Sequence, residues 1–260
     1  MTESTLARLA PFALGILALT AWEALVQIGG IPPYVLPGPL LVLKTLWTDG
    51  PSLLTSLWVT LRITMIALIA AAVGGTLLAV LMAQSRIIER SLFPYAVILQ
   101  VTPVVAIAPL IIIWANDTTL ALVLCAWIVA FFPIVSNTTT GLNSADTNHL
   151  DLFRLYSASR WNTLRFLRFP GALPYFLAGL RISGGLALVG AVVAEFVAGT
   201  GGAETGLAFR ILEAGYRLQI PRLFAALVLL GLTGVAIYLA LNWLSRRLLR
   251  RWTEDSRSAS

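Results

Sequence analysis

DLFRLYSASRWNTLRFLRFP, residues 151–170, carries Arg154, Arg160, Arg165 and Arg168 in a chain that otherwise avoids charge. Of the 260 residues, 58% are apolar and 12% are charged. Soluble domains average roughly 45–50% apolar and about 25% charged, so the composition is that of a membrane protein. The stretch divides at Ser157-Ala158-Ser159. Before the division, Leu150 and Phe153 recur at helical spacing, with Leu152, Leu155 and Tyr156 on the adjoining face. After it, Ser159 is positioned to cap a helix by accepting from backbone amides. Trp161, Leu164 and Leu167 follow three apart along one stripe, with Arg165 and Arg168 on another. Pro170 and Pro174 are expected to stop that helix. The spacing therefore predicts two short amphipathic helices joined by a sharp small-residue turn. Such an element suits either an interfacial segment held by anionic lipid or a docking element for a partner protein, since aromatic residues beside arginine anchor interfaces.

Six apolar segments surround this stretch, at about 9–29, 57–83, 92–115, 118–138, 174–198 and 223–244. Each approaches the roughly 20 residues that cross a bilayer as a helix. Lipid offers no partner to backbone amides, so helix is the default. The period-two alternation of a β-barrel is not visible. The first segment is longer than a signal-peptide core and is expected to be a retained span. With six crossings, twelve basic residues fall on one side and four on the other (Lys44, Arg210, Arg217 and Arg222). The positive-inside rule then puts both termini and the 139–172 loop in the cytoplasm. The expected fold is all-α: one polytopic transmembrane domain over 1–260, with a cytoplasmic loop at about 143–172. Outside, "IPPYVLPGPL" (31–40) is too proline-rich for a regular helix. "GTGGAETG" (199–206) is expected to be a flexible turn, and "LAFRILEAGYRL" (207–218) a short amphipathic surface helix.

Several chemistries are excluded. Cys125 is the only cysteine and lies in an apolar run, which rules out an internal disulfide and a cysteine metal cluster. His149, the only histidine, falls in the cytoplasmic loop, and carboxylates near the midplane are lacking, which argues against proton coupling. No P-loop occurs and the one lysine, Lys44, is outside, so ATP must be hydrolysed elsewhere if it drives this protein. No enzyme motif and no metal site is found. The +6 net charge flanks membrane spans and forms no nucleic-acid stripe.

Charge and proline inside the spans mark further candidates. The third segment holds Pro94, Pro103 and Pro109; Pro103 and Pro109 are placed to interrupt the helix twice. It is either a kinked packing helix or a pathway-lining helix with Gln100 and Thr102 near the break. Arg181 is close enough to the cytoplasmic end of its span to snorkel. Glu23, Arg62 and Glu195 share an outer level, and a pair of Arg62 with Glu195 or Glu23 is expected there.

The 151–170 stretch resembles the EAA motif of permease subunits in binding-protein-dependent ABC importers. The frame is Asp151-Leu152-Phe153, then Ser157, then Leu167, Phe169 and Pro170, with the family spacing kept at every step. Asp151 replaces the usual glutamate and Ser157 the usual glycine, so Ser157 is expected to need a positive backbone angle costing about 1 kcal/mol or more. "AWE" (21–23), "LPGP" (36–39), "TLRI" (60–63), "QVTPVVAIAPLIIIW" (100–114), "GALPYFLAGLRIS" (171–183) and "AEF" (194–196) are similar to the nitrate/sulfonate/taurine group of these permeases. The resemblance implies a type I importer permease in the bacterial inner membrane, working as a dimer and most simply as a homodimer. It also implies a cytoplasmic ATP-binding subunit carrying ATP and magnesium, and an external solute-binding protein. Asp151, Leu152, Phe153, Ser157, Ala158, Arg160, Leu167 and Pro170 become the expected coupling residues. Gln100, Thr102, Pro103, Arg181 and Glu195 are the pathway candidates. An ion-coupled secondary carrier or channel, and a membrane sensor without transport, are the competing readings.

Overall fold

The computed structural model describes residues 3–199 and 205–258, so most of the expected 199–206 turn lies outside the described residues. Regular structure among them is entirely helical. In chain order the helices are α1 (Glu3–Ile28), α2 (Pro39–Thr48), α3 (Gly50–Met82), α4 (Arg86–Val101), α5 (Val104–Ala115), α6 (Thr118–Asn143), α7 (Thr147–Leu155), α8 (Arg160–Thr163), a π-helical turn (Leu164–Arg168), α9 (Phe169–Ala198), α10 (Leu207–Tyr216) and α11 (Ile220–Ser258). Five helices are long and apolar enough to cross a membrane, and α4 with α5 forms a sixth candidate bent by 97°. The chain groups into two compact units, Met1–Val59 with Gly201–Gly231 and Thr60–Thr200 with Leu232–Ser260.

In the larger unit, α6 and α9 pack face to face through small residues. A Cβ on Gly179 would stand 2.7 Å from the Pro133 carbonyl oxygen, and one on Gly190 would stand 2.8 Å from Ala126 Cα. Small residues allow such backbone approach where lipid supplies no hydrophobic drive. Ser183 Oγ donates to the Ala130 carbonyl at 2.6 Å across the same seam. Ala126 thus faces Gly190, Ala130 faces Ser183 and Pro133 faces Gly179, so the two helices are antiparallel. Arg181 donates to Asn242 at 3.3 Å and Gly184 lies against Ile237, which makes α11 antiparallel to α9.

The relation of α3 to α6 is different. Gly75 lies against Ile134, and further on Thr139 Oγ1 reaches Met82 Sδ at 3.8 Å. Both numbers rise together, so these helices are parallel. The chain between them must return from the end where α3 finishes to the end where α6 begins. The bent pair makes that return. Glu89, in the first turn of α4, accepts from Asn143 at 3.1 Å, and Ala96 of the same helix shares a core cluster with Phe131 and Val135. Read as one broken crossing, the pair brings the five continuous candidates among the described residues to as many as the expected six.

Only one of the two expected interruptions occurs. Thr102 takes an extended conformation before Pro103, as residues preceding proline do, while Pro109 is carried inside α5. A second expectation fails more clearly. Pro170 and Pro174 do not stop the helix that begins at Arg160; 160–198 is one continuous helical run. Pro170 sits in the first turn of α9, directly after the π turn, where a wider helix absorbs the missing amide donor.

The smaller unit holds α10 as expected, burying Leu207, Ala208, Ile211 and Ala214. It also holds α2, which starts on Pro39 inside the proline-rich stretch and was not foreseen. Proline at the first helical position lacks only a donor that would be unsatisfied anyway. Glu213 joins Arg210 at 2.8 Å and Arg217 at 2.9 Å. The hydrogen bond from Arg210, aided by nearby arginine charge, holds its carboxyl below the usual value of 4.5 against the opposing effect of burial.

Two outcomes follow. Gly179→Ala is expected to destabilise the protein by about 1–3 kcal/mol through overpacking, and Gly185→Ala, where a Cβ meets nothing, to be neutral or stabilising by up to about 1 kcal/mol; melting temperatures of the detergent-purified variants check this. Because folding lowers the Glu213 pKa, its stabilisation is complete above the ordinary carboxylate range and is lost as pH falls through the depressed value. Amide exchange of α10, compared between wild type and Glu213→Gln as pH drops below about 4.5, is expected to converge.

Candidate functional site

The 151–170 stretch forms the helix pair α7 and α8, each with its own cap. Asp146 accepts from Asn148 N at 2.7 Å to start α7, and Ser159 accepts from Asn162 N at 3.2 Å to start α8. Between them Ser157 has φ +52°. Its amide donates to the Arg154 carbonyl, and the Ala158 amide donates to that of Phe153, both at 2.9 Å. These two bonds define a Schellman turn, whose left-handed position favours glycine. The turn is therefore built, with serine bearing the strain.

The loop joins the bundle at one point above all. Arg168 Nη1 donates to the Ala83 carbonyl at 3.0 Å, just past the end of α3. A cation at a helix C-terminus satisfies an orphan carbonyl and opposes the helix dipole. Leu164 is buried with Ala79, Ala83, Leu142 and Ala172, so the π turn is packed against α3, α6 and α9. Sequence reading gave Arg168 only a topological role, because nothing local predicts a partner 85 positions away.

The coupling candidates divide by exposure. Leu155 is 82% exposed, Tyr156 80% and Trp161 64%. Asp151 is exposed and pairs with Arg154 at 2.9 Å on its own helix. Leu152, Ser157 and Arg160 are exposed, whereas Phe153, Ala158, Leu167 and Pro170 are half-buried. Three large apolar side chains beside a strained turn make a surface that water alone does not favour.

The pathway candidates do not gather into one site. Arg181 and Glu195 lie fourteen residues apart on α9, about 21 Å along its axis. Arg181 is engaged with Asn242 of α11, so an interhelical bond replaces the expected snorkelling. Glu195 is 2% exposed. Gln100 and Pro103 are exposed and Thr102 half-buried at the bend, where the Thr102 hydroxyl donates back to the Ile98 carbonyl at 2.7 Å.

The expected ion pair of Arg62 is not found. Arg62 is exposed and takes part in no ion pair among the described residues. It lies on the outward stripe of α3 with Ile66, Ile69, Val73 and Leu77, while Glu195 is turned into the packed face of α9. Glu23 has other partners: its carboxylate accepts from Leu40 N at 3.1 Å and from Gln27 Nε2 at 2.9 Å. It therefore holds the start of α2 against α1, and a Cβ on Gly38 would stand 2.6 Å from its Oε2. That contact accounts for "AWE" and "LPGP" together.

Residues 71–254 match the family described as binding-protein-dependent transport system inner membrane component. The chain belongs to this family. A riboflavin transport system permease protein of Chloroflexus aurantiacus is 36% identical over 91% of this chain and 87% of its own. A formylaminopyrimidine transport permease protein of Halalkalibacterium halodurans is 33% identical over 93% of this chain and 95% of its own. A taurine transport system permease protein of Escherichia coli is 31% identical, covering 94% and 90%. Among solved structures, a chain of the MetNI methionine ABC transporter has a TM-score of 0.64 at 19% identity, covering 75% of this chain and 95% of that one. The fold is thus that of an ABC importer permease, and the protein is a multi-pass permease component of the inner membrane.

Ser157→Gly is expected to stabilise the protein by about 1 kcal/mol by removing the left-handed penalty, measurable as a higher melting temperature. Arg168→Ala should lower it, since the Ala83 carbonyl loses its donor.

Proposed function

We propose that this permease forms the translocation pathway of an ATP-driven importer for a small organic solute delivered by an external binding protein. Two copies of the chain enclose the pathway. The face carrying α7 and α8 is cytoplasmic, as are both termini, and a separate subunit binds ATP with its magnesium there. The chain itself catalyses nothing. The helix pair docks on the ATPase and transmits its opening and closing into α9, of which α8 and the π turn are a direct extension.

The observation that carries the proposal is the capped, strained turn that presents Leu155, Tyr156 and Trp161 outward. It sits on a helix continuous with a membrane span, tied by Arg168 to α3. Movement of the docked surface therefore reaches two spans without a flexible joint. A ligand drives such a cycle only by binding its states unequally, and ATP on the partner supplies that difference.

For the cargo, relatives named for riboflavin and formylaminopyrimidine, at 36% and 33% identity, favour a heterocyclic vitamin or precursor over taurine-like sulfonates or nitrate. Family membership is what sets this reading above an ion-coupled carrier.

The double variant Leu155→Glu, Tyr156→Glu should reach the membrane in normal amount. It should lose co-purification with the tagged ATPase subunit by about tenfold or more, as when an apolar anchor worth about 1.4 kcal/mol is removed. ATP-dependent uptake should fall with it. Undiminished co-purification would overturn the coupling role.

A further inference from the structure

Two hollows lie on the larger unit, on either side of the buried cluster of Ala79, Ala83, Leu142, Leu164 and Ala172. The first, of about 350 Å³, lies where α3 ends and the loop begins, and Arg154, Arg160 and Arg168 line it with Gln84. The second is a groove of about 410 Å³ between α3, α6 and α9, lined by Val73, Leu77, Phe169, Leu173 and Phe176 among others. Its only polar side chains are those of Thr76 and Thr138.

The two have no lining residue in common but follow the same elements. Val73 and Leu77 fall four apart on one face of α3, and Gln84 follows two residues past its end. Arg168, Ala172 and Phe176 follow at intervals of four on the opposite wall. The α3 residues of the groove precede Ala83 by about 9–16 Å of helix. Charge is thus gathered at the end of the span and carbon lies deeper in.

Two details point to an occupant. Three guanidiniums line one hollow, and among the described residues Asp151 alone pairs with one of them, Arg154. Arg168 uses Nη1 on Ala83, which leaves most of its five N–H donors for other acceptors. In the groove, Thr138 is 3% exposed and its hydroxyl has no hydrogen-bond partner among the described residues. A buried hydroxyl in an apolar wall calls for an acceptor.

We infer that this groove and hollow bind one anionic phospholipid, its phosphate among Arg154, Arg160 and Arg168, its ester region at Thr138 and an acyl chain along Val73, Leu77 and Phe176. Basic pockets between spans on the cytoplasmic side are suited to anionic headgroups. The inference agrees with the interfacial-lipid reading of residues 151–170, but turns the arginines inward around a headgroup. It stands without the coupling proposal, because nothing in it requires an ATPase. The lipid would lie under the joint between loop and α3, wedging α7 against the bundle.

Native mass spectrometry of the purified full chain, released from micelles with equal phosphatidylglycerol and phosphatidylcholine of matched acyl chains, tests it. Phosphatidylglycerol adducts should exceed phosphatidylcholine adducts by about fivefold or more, each removed arginine giving up about fivefold. Arg154→Gln with Arg160→Gln, both exposed and so tolerated by the fold, should bring the two lipids level. Val73→Trp, which fills the groove from its exposed wall, should remove the adduct with the arginines intact. Equal retention of both lipids, or retention unaffected by these variants, overturns the proposal. So does displacement of phosphatidylglycerol by millimolar inorganic phosphate, which would mark a plain anion site. Loss of a chain–chain dimer in Val73→Trp with lipid retention unchanged would assign the groove to a second copy and overturn it too.

Discussion

The close seam between α6 and α9 constrains the larger unit more than any other contact. Its glycines bring helix backbones to distances that a side chain would forbid, and a serine hydroxyl bonds across it. Lipid rewards such packing because dispersion and hydrogen bonding, and not apolar burial, hold spans together. Once α6 and α9 are antiparallel and α3 runs parallel to α6, the connection over residues 83–117 has to cross back. A broken helix at Thr102–Pro103 is the form that crossing takes. The ends of α3, α6 and α11, and the start of α9, then collect on the face where the arginines lie.

That face links fold to function. Helix α8 continues through a π turn into α9, α7 is joined to it by the Ser157 turn, and the π turn is pinned to α3 by Arg168. Under the proposed coupling, a rigid joint at this place is what passes motion on, where a flexible loop would absorb it. The strain at Ser157 belongs to the same design, since a turn held in a left-handed angle keeps α7 and α8 at a fixed angle. The proposed lipid occupies the remaining space under that joint.

Much of this was legible in the sequence. The spans were readable because apolar length is a direct demand of the bilayer. The Ser159 cap was readable because it depends on a neighbour in sequence, and the positive angle at Ser157 because serine stands where the resembled motif has glycine. The misses share a different character. Proline-based stops failed at Pro170 and Pro109 because the surrounding packing chose between a break, a π turn and an accommodated residue. The roles of Arg168 and Glu23 depend on partners 85 and 17 positions away, and no local period encodes such pairs. The expected Arg62 pair is absent among the described residues for a related reason: the direction in which each side chain faces is not encoded locally.

The central claim is that the 84–90 connection and the 151–170 loop lie on one and the same face, which the proposed function makes cytoplasmic. Single cysteines placed at Ser85 and Ser157, in a Cys125→Ser background, test it by reaction with a membrane-impermeant maleimide on intact cells and on inverted vesicles. Labelling of both positions in inverted vesicles, and of neither in intact cells, is the predicted result. Labelling of 85 and 157 from opposite sides would contradict the parallel arrangement of α3 and α6 and the broken crossing derived from it.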